Sequence, residues 1–166
     1  MVKAYLSMGS NIGDRLNFLK EGLNELRNNK EIKINKISSV YETAPVGFLN
    51  QNNFLNIIVE IETSLNPFQL LEYNQGIEKK LKRVKEIHWG PRTIDIDIIT
   101  YGYETIDNPV LTIPHKEALN RAFVLLPLAE ITKDNFTINN KKIREILKEI
   151  PHDNKIIWLY QETLPF

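Results

Sequence analysis

The chain has no cysteine, which excludes a disulfide framework, a thiolate nucleophile and a Cys-ligated zinc site. It has no excess of either charge. Its 21 Lys and Arg stand against 21 Asp and Glu, so no long-range field marks a nucleic-acid or membrane binder. No apolar run approaches the roughly 18 residues of a membrane span, and MVKAYLSMGSN at the start lacks a signal peptide's long apolar stretch. A cytoplasmic protein is expected. Internal repeats, low-complexity tracts and Pro/Gly/Ser linkers are also missing. What remains is 166 residues, 42% hydrophobic and 25% charged, the composition of an ordinary soluble domain. One domain over 1–166 is expected, large enough to hold its core without staples.

Hydrophobic spacing divides the chain into elements. Val2 to Met8 is β-compatible and breaks at Gly9-Ser10-Asn11. Leu16, Leu19, Leu23 and Leu26 then recur at helical spacing, predicting an amphipathic helix from about Asp14 to Asn28. Ile32 to Glu42 alternates as a strand, and Phe54 to Ile61 reads as its antiparallel partner across a loop over 46–53. Asn66-Pro67 puts a capping side chain before a proline at the first helical position, with Leu70, Ile77, Leu81 and Val84 on one face of the helix that follows. Thr93 to Tyr101 is the cleanest strand, and Tyr103 to Ile106 a short β segment after it. Ala118 to Ile131 and Lys141 to Glu149 read as helices, and Lys155 to Tyr160 as a closing strand. The order β-α-β-β-α-β predicts an α+β, ferredoxin-like sandwich with a mainly antiparallel sheet and appended helices.

The strongest chemical signal is Thr93-Ile94-Asp95-Ile96-Asp97-Ile98-Ile99. Side chains alternate along a strand, so Ile94, Ile96 and Ile98 share one face and Asp95 and Asp97 the other, with Cα atoms about 6.6 Å apart. Two carboxylates that close repel unless a cation lies between them, and Mg²⁺ is held by one or two carboxylates together with substrate phosphates. An Asp-x-Asp alone is more often the wet side of a half-buried strand. Its neighbours decide here. Glu78 to Arg92 holds six Lys or Arg and two Glu, a net of +4 in a neutral protein, which supplies the cationic half of a Mg·polyphosphate site. Lys79, Lys80 and Lys82 read as a solvated helix face, whereas Arg83 and Arg92 bracket the point where the helical pattern ends. Trp89 either packs into the core or covers a ligand.

Trp89-Gly90-Pro91-Arg92-Thr93-Ile94-Asp95-Ile96-Asp97-Ile98-Ile99 resembles the signature of the hydroxymethyl-dihydropterin pyrophosphokinase family of folate biosynthesis. Gly9-Ser10-Asn11, Tyr41-Glu42-Thr43-Ala44-Pro45-Val46-Gly47, Phe54-Leu55-Asn56, Leu111-Thr112-Ile113-Pro114-His115 and Asn120-Arg121-Ala122-Phe123 resemble further blocks of that family in the same order. The similarity runs from about Val2 to Ile131. The resemblance implies transfer of the terminal two phosphates of ATP, as one pyrophosphoryl group, to the hydroxymethyl oxygen of the pterin, with AMP released. It implies two Mg²⁺ ions on Asp95 and Asp97. By the same transfer Arg83, Arg92 and Asp97 are catalytic, Asp97 helping to deprotonate the hydroxyl. Gln75, Glu78, Arg83, Lys85, Trp89, Arg92, Ile98, Thr112, His115 and Arg121 would meet ATP. Thr43, Val46, Phe54, Asn56, Trp89 and Phe123 would meet the pterin, and Val84 to Arg92 would form a lid over bound nucleotide.

Those assignments suit the residue types: two aromatic faces can sandwich a flat heterocycle while an Asn, both donor and acceptor, reads its edge. The chain departs from the family pattern in having Phe54 where many members have Tyr, Lys85 in place of Arg, and Val110 and Lys116 where some members contact nucleotide. The segment between Arg83 and Trp89 is also one residue shorter. Gly9-Ser10-Asn11 lacks the lysine of a P-loop and reads as a strand-to-helix turn. Two alternatives stand beside the family reading: a metal-dependent nucleotidyltransferase, distinguished by release of pyrophosphate, and a non-catalytic nucleotide-binding ferredoxin-like module. The expected partners are ATP and the pterin, with no nucleic acid and no membrane, and a monomer is expected.

Overall fold

The computed structural model describes residues 1–44, 52–84, 93–151, 157–160 and 164, with the backbone alone at 83, 84, 157 and 158. Its elements in chain order are β1 (Val2–Ser10), α1 (Arg15–Arg27), β2 (Ile32–Ile37), β3 (Tyr41–Thr43), β4 (Phe54–Thr63), α2 (Pro67–Val84), β5 (Asp95–Tyr101), β6 (Ile106–Asp107), β7 (Thr112–Ile113), α3 (Ala122–Ile131), β8 (Thr137–Ile138), β9 (Lys141–Lys142), α4 (Ile143–Glu149) and β10 (Ile157–Leu159). The main sheet runs β10-β3-β4-β1-β5 with β2 also paired to β4, and its described pairings are all antiparallel. β1, α1, the β2/β3 run, β4, α2 and β5 thus give the ferredoxin-like β-α-β-β-α-β order.

Strand alternation divides the interior into two cores. Leu6, Met8, Ile57, Val59, Ile96 and Ile98 face α1 and α2, where they pack on Leu19, Leu23, Leu70 and Ile77. Tyr5, Ile58 and Ile99 face the other way, against Leu125 and Leu128 of α3 and Ile143 and Ile146 of α4. Asn66 caps α2 as its sequence predicts: its Oδ1 accepts from Gln69 N at 2.9 Å while Gln69 Oε1 accepts from Asn66 N at 2.9 Å, a reciprocal capping box.

Three expectations need correction. Ile32 to Glu42 is two strands, because Ser38 interrupts the ladder: its Oγ, where a backbone carbonyl would stand in a regular ladder, accepts from Ile58 N at 2.9 Å. Tyr103 to Ile106 is not a strand. Gly102 turns the chain at φ +55, Tyr103 is exposed, and pairing begins only at Ile106, opposite Ile113. Ala118 to Ile131 is a 3₁₀ turn at Ala118–Asn120 followed by α3, separated by Arg121 in extended conformation (φ −121, ψ 109) as the N-cap. No helix among the described residues is long and apolar enough to cross a membrane.

Candidate active site

β5 lies at the edge of the sheet against β1, with Asp97 opposite Ser7 and Asp95 opposite Gly9. The predicted alternation holds. Ile94, Ile96 and Ile98 are buried on the side facing α1 and α2, while Asp95 and Asp97 are half-buried in the wall of a cavity of about 230 Å³ on the α3 side. The small side chains opposite, Ser7 and Gly9, leave space above the two carboxylates. Among the described residues no cluster of three or more metal-ligating side chains exists. Two carboxylates on one face nevertheless fit Mg²⁺, which keeps several waters and takes its remaining oxygens from phosphates.

The cavity's far wall is the β3–β4 pair. Thr43 lies opposite Phe54 and Tyr41 opposite Asn56. Asn56 is buried, and its Nδ2 donates to Thr43 Oγ1 at 2.8 Å. Phe54 and Phe123 both line the space, the latter on the first turn of α3, with the Arg121 guanidinium carbon 5.6 Å from its ring centroid. This distance is within the range of a cation–π contact.

His115 reaches the cavity through a bulge. The β1–β5 register slips between Tyr5 and Leu6, which face Thr100 and Ile98, so Ile99 is the extra residue and its carbonyl accepts from His115 N at 2.9 Å. Bulges re-aim backbone in this way beside active sites. His115 Nδ1 accepts from Glu117 N at 3.2 Å, which leaves Nε2 to carry the proton of the neutral ring.

Thus eight predicted residues (Thr43, Phe54, Asn56, Asp95, Asp97, His115, Arg121 and Phe123) line one cavity. Others lie elsewhere. Ile98 points its side chain into the core against α1 and α2, so its backbone alone remains for a nucleotide. Gln75 is exposed on α2, Thr112 sits on β7 opposite Asp107, and neither is in the cavity wall. Glu78 Oε2 accepts from Ile96 N at 3.1 Å, tying α2 to the edge of β5 between the two carboxylates. Val46, Lys85, Trp89, Arg92 and most of the expected lid fall outside the described residues, as does the Arg83 side chain. Sequence reasoning missed Ser7, Gly9, Ala44, Ile99 and Val124, which complete the wall. Gly9, Ala44 and Ile99 stood inside the family-like blocks, whereas Ser7 and Val124 carried no visible signal.

A family model described as 7,8-dihydro-6-hydroxymethylpterin-pyrophosphokinase matches residues 5–133. The chain belongs to this family. It is 50% identical over 128 residues to the 2-amino-4-hydroxy-6-hydroxymethyldihydropteridine pyrophosphokinase of Bacillus subtilis, covering 77% of each chain. The Haemophilus influenzae protein of the same name is 38% identical over 159 residues, 96% of this chain and 99% of that one. The crystal structure of wild-type Plasmodium falciparum HPPK-DHPS with SDX-DHP superposes with a TM-score of 0.69 at 18% identity, over 90% of this chain and 43% of that one. That likeness is one of fold. The pyrophosphokinase match ends just past the C-terminus of α3, so that α4, which packs beside α3, and β10, the edge strand paired with β3, lie beyond it.

Proposed function

We propose that the cavity between β5, the β3–β4 pair and α3 is where this pyrophosphokinase brings its two substrates together. The enzyme acts in folate biosynthesis, with ATP as co-substrate and 6-hydroxymethyl-7,8-dihydropterin as acceptor. The hydroxymethyl oxygen forms a bond to the β-phosphorus of ATP. The bond from that phosphorus to the oxygen bridging it to the α-phosphate breaks, the hydroxyl proton is lost, and AMP leaves. The observation that carries the site assignment is the meeting of the Asp95–Asp97 face with Phe54, Asn56 and Phe123 in one cavity.

In this reading Phe54 and Phe123 sandwich the pterin, Asn56 and Thr43 read its edge, and Val46 completes the pocket. His115 and Arg121 donate to phosphate oxygens, joined by Arg83, Lys85 and Arg92 from the basic segment. Gln75, Glu78, Thr112 and the backbone of Ile98 meet the rest of the nucleotide, and Trp89 covers both ligands. Asp95 and Asp97 would hold Mg²⁺, which when bound supplies charge neutralisation for the transferring phosphoryl oxygens. Asp97 accepts the proton of the hydroxyl. Alignment of the two reactants is the residues' main contribution, since holding them in attack geometry removes much of the entropic barrier.

The whole chain, 1–166, is read as one such domain, a cytoplasmic monomer without nucleic-acid or membrane partners. Its balanced charge supports that reading. Mass spectrometry of the products from ATP, Mg²⁺ and hydroxymethyl-dihydropterin tests the reaction. The pyrophosphorylated pterin and AMP are expected, and a nucleotidylated pterin with free pyrophosphate would overturn it.

A further inference from the structure

Arg15 is the first residue of α1, a turn of helix whose backbone N–H groups favour anions. The Asp14 carboxylate caps that end, accepting from Asn17 N at 3.2 Å, and Arg15 beside it turns its own charge elsewhere. One nitrogen, Nη1, donates to Glu42 Oε2 at 2.7 Å and to the carbonyl of Asn53 at 2.8 Å. The ion pair is shielded, with side chains 23% and 27% exposed.

The two acceptors belong to the two strands of one hairpin. Glu42 is on β3 and lies opposite Leu55, whose side chain is in the core beneath α1 and α2. Asn53 is one residue before β4 begins, just beyond the last ladder pair, Thr43 with Phe54. Arg15 is therefore an additional rung, added from behind the sheet at the end where the ladder stops. On the front face the same two strands present Thr43, Phe54 and Asn56 to the cavity.

We propose that Arg15 is a positioning residue for the pterin: it stops the β3 and β4 ends from splaying and so fixes the separation of Thr43 and Phe54. The inference rests on the reading of those residues as the pterin wall. Nothing in it involves the phosphate side, so its signature is selective. Misplacement by about 1 Å can cost on the order of 10²-fold in an enzyme's rate, so the position of this wall matters.

The test is calorimetry with hydroxymethyl-dihydropterin and, separately, a non-hydrolysable ATP analogue. Arg15→Met keeps the apolar stem and removes both bonds. Pterin affinity is expected to fall about tenfold while ATP-analogue affinity stays within about twofold. Arg15→Lys, which keeps the positive charge and most of the reach toward Glu42, is expected to restore part of the loss. Rescue by charge and reach is not expected of a residue that merely fills space. Unchanged pterin affinity in Arg15→Met, or an equal loss for both ligands, overturns the proposal. Should Arg15→Met fail to fold, Glu42→Leu, which leaves no acceptor for Arg15 on β3, decides: a selective loss for the pterin supports the clamp and unchanged binding overturns it. Asn56→Ala is measured in parallel. If it leaves pterin affinity intact, the pocket reading itself is at fault, whatever Arg15 does.

Discussion

Gly9 and Asn56 are paired across β1 and β4, and a Cβ built on Gly9 would stand 2.6 Å from Asn56 Oδ1. The missing side chain is what lets the amide lie flat on the sheet while its Nδ2 donates to Thr43. Gly9→Ala cannot be absorbed by a freely moving side chain, because that hydrogen bond holds Asn56 in place. A loss of about 1–3 kcal/mol in stability is expected from the forced shift, with weaker pterin binding. Gly76, exposed on α2 with nothing within 4 Å of a built Cβ, provides the contrast. Gly76→Ala should stabilise the fold by about 0.5–1 kcal/mol, since glycine in a helix is entropically costly. Urea denaturation of both variants checks the pair of signs, and destabilisation by both would contradict it.

Asp97→Asn keeps the size of the side chain and removes its charge. Turnover is expected to drop by about 10²-fold or more, as on removal of a principal electrostatic group, while the far-UV spectrum and melting temperature change little for a half-buried side chain. Near-full activity in saturating Mg²⁺ would rule out the carboxylate role.

Much of this site was readable from local pattern. The alternation of Asp95 and Asp97 with isoleucines predicted both their common face and the core behind them, and Asn66-Pro67 announced the start of α2. What escaped depended on contacts between distant segments. Ser38 ends β2 because its hydroxyl takes a ladder bond from Ile58, twenty residues on. Ile98 alternates correctly, yet this same alternation sends its side chain away from the cavity. The bulge at Ile99 and the rung made by Arg15 have no periodic signature at all. Each is defined by its partner: His115 for the first, Glu42 and Asn53 for the second.

Two phenols hydrogen-bonded to carboxylates set an alkaline limit on stability. Burial, with the Glu60 carboxylate beside it, pushes the Tyr5 phenol well above its ordinary value of 10.0, and its hydroxyl donates to Glu60 Oε2 at 2.7 Å. Burial and Glu130 do the same to Tyr41. A folded state that keeps a proton the unfolded chain releases is stabilised below the unfolded pKa, and loses that advantage as pH rises beyond it. The contribution of these two tyrosines to stability should therefore be level up to about pH 10 and decline above it. Tyr5→Phe should cost about 1–3 kcal/mol at neutral pH, by removing the hydrogen-bond donor of the buried Glu60 carboxylate and leaving it only the Lys3 ammonium, 3.7 Å from its Oε1, and should make the alkaline decline shallower. Equilibrium denaturation across that pH range measures both. An equally steep decline in Tyr5→Phe would assign the effect to other groups.

Phe123 is the residue on which the pterin reading can be most sharply divided from simple packing. It stands half-buried on the first turn of α3, facing the cavity that Phe54 lines from the β4 side. Stacking of a flat heterocycle on an aromatic side chain is worth roughly 1–3 kcal/mol per face. Phe123→Ala should weaken pterin binding by about that amount, with ATP affinity little changed. One coupling complicates the contrast: the Arg121 guanidinium lies over the same ring, so truncation also releases a group assigned to phosphate. Phe123→Leu helps to resolve it, since it fills much of the volume without an aromatic face. If stacking is the role, Leu binds pterin nearly as poorly as Ala. If packing is the role, Leu recovers most of the loss. Calorimetry on each ligand separately distinguishes the two, and equal losses for pterin and ATP in both variants would make Phe123 a structural support for Arg121 instead of a wall of the pterin pocket.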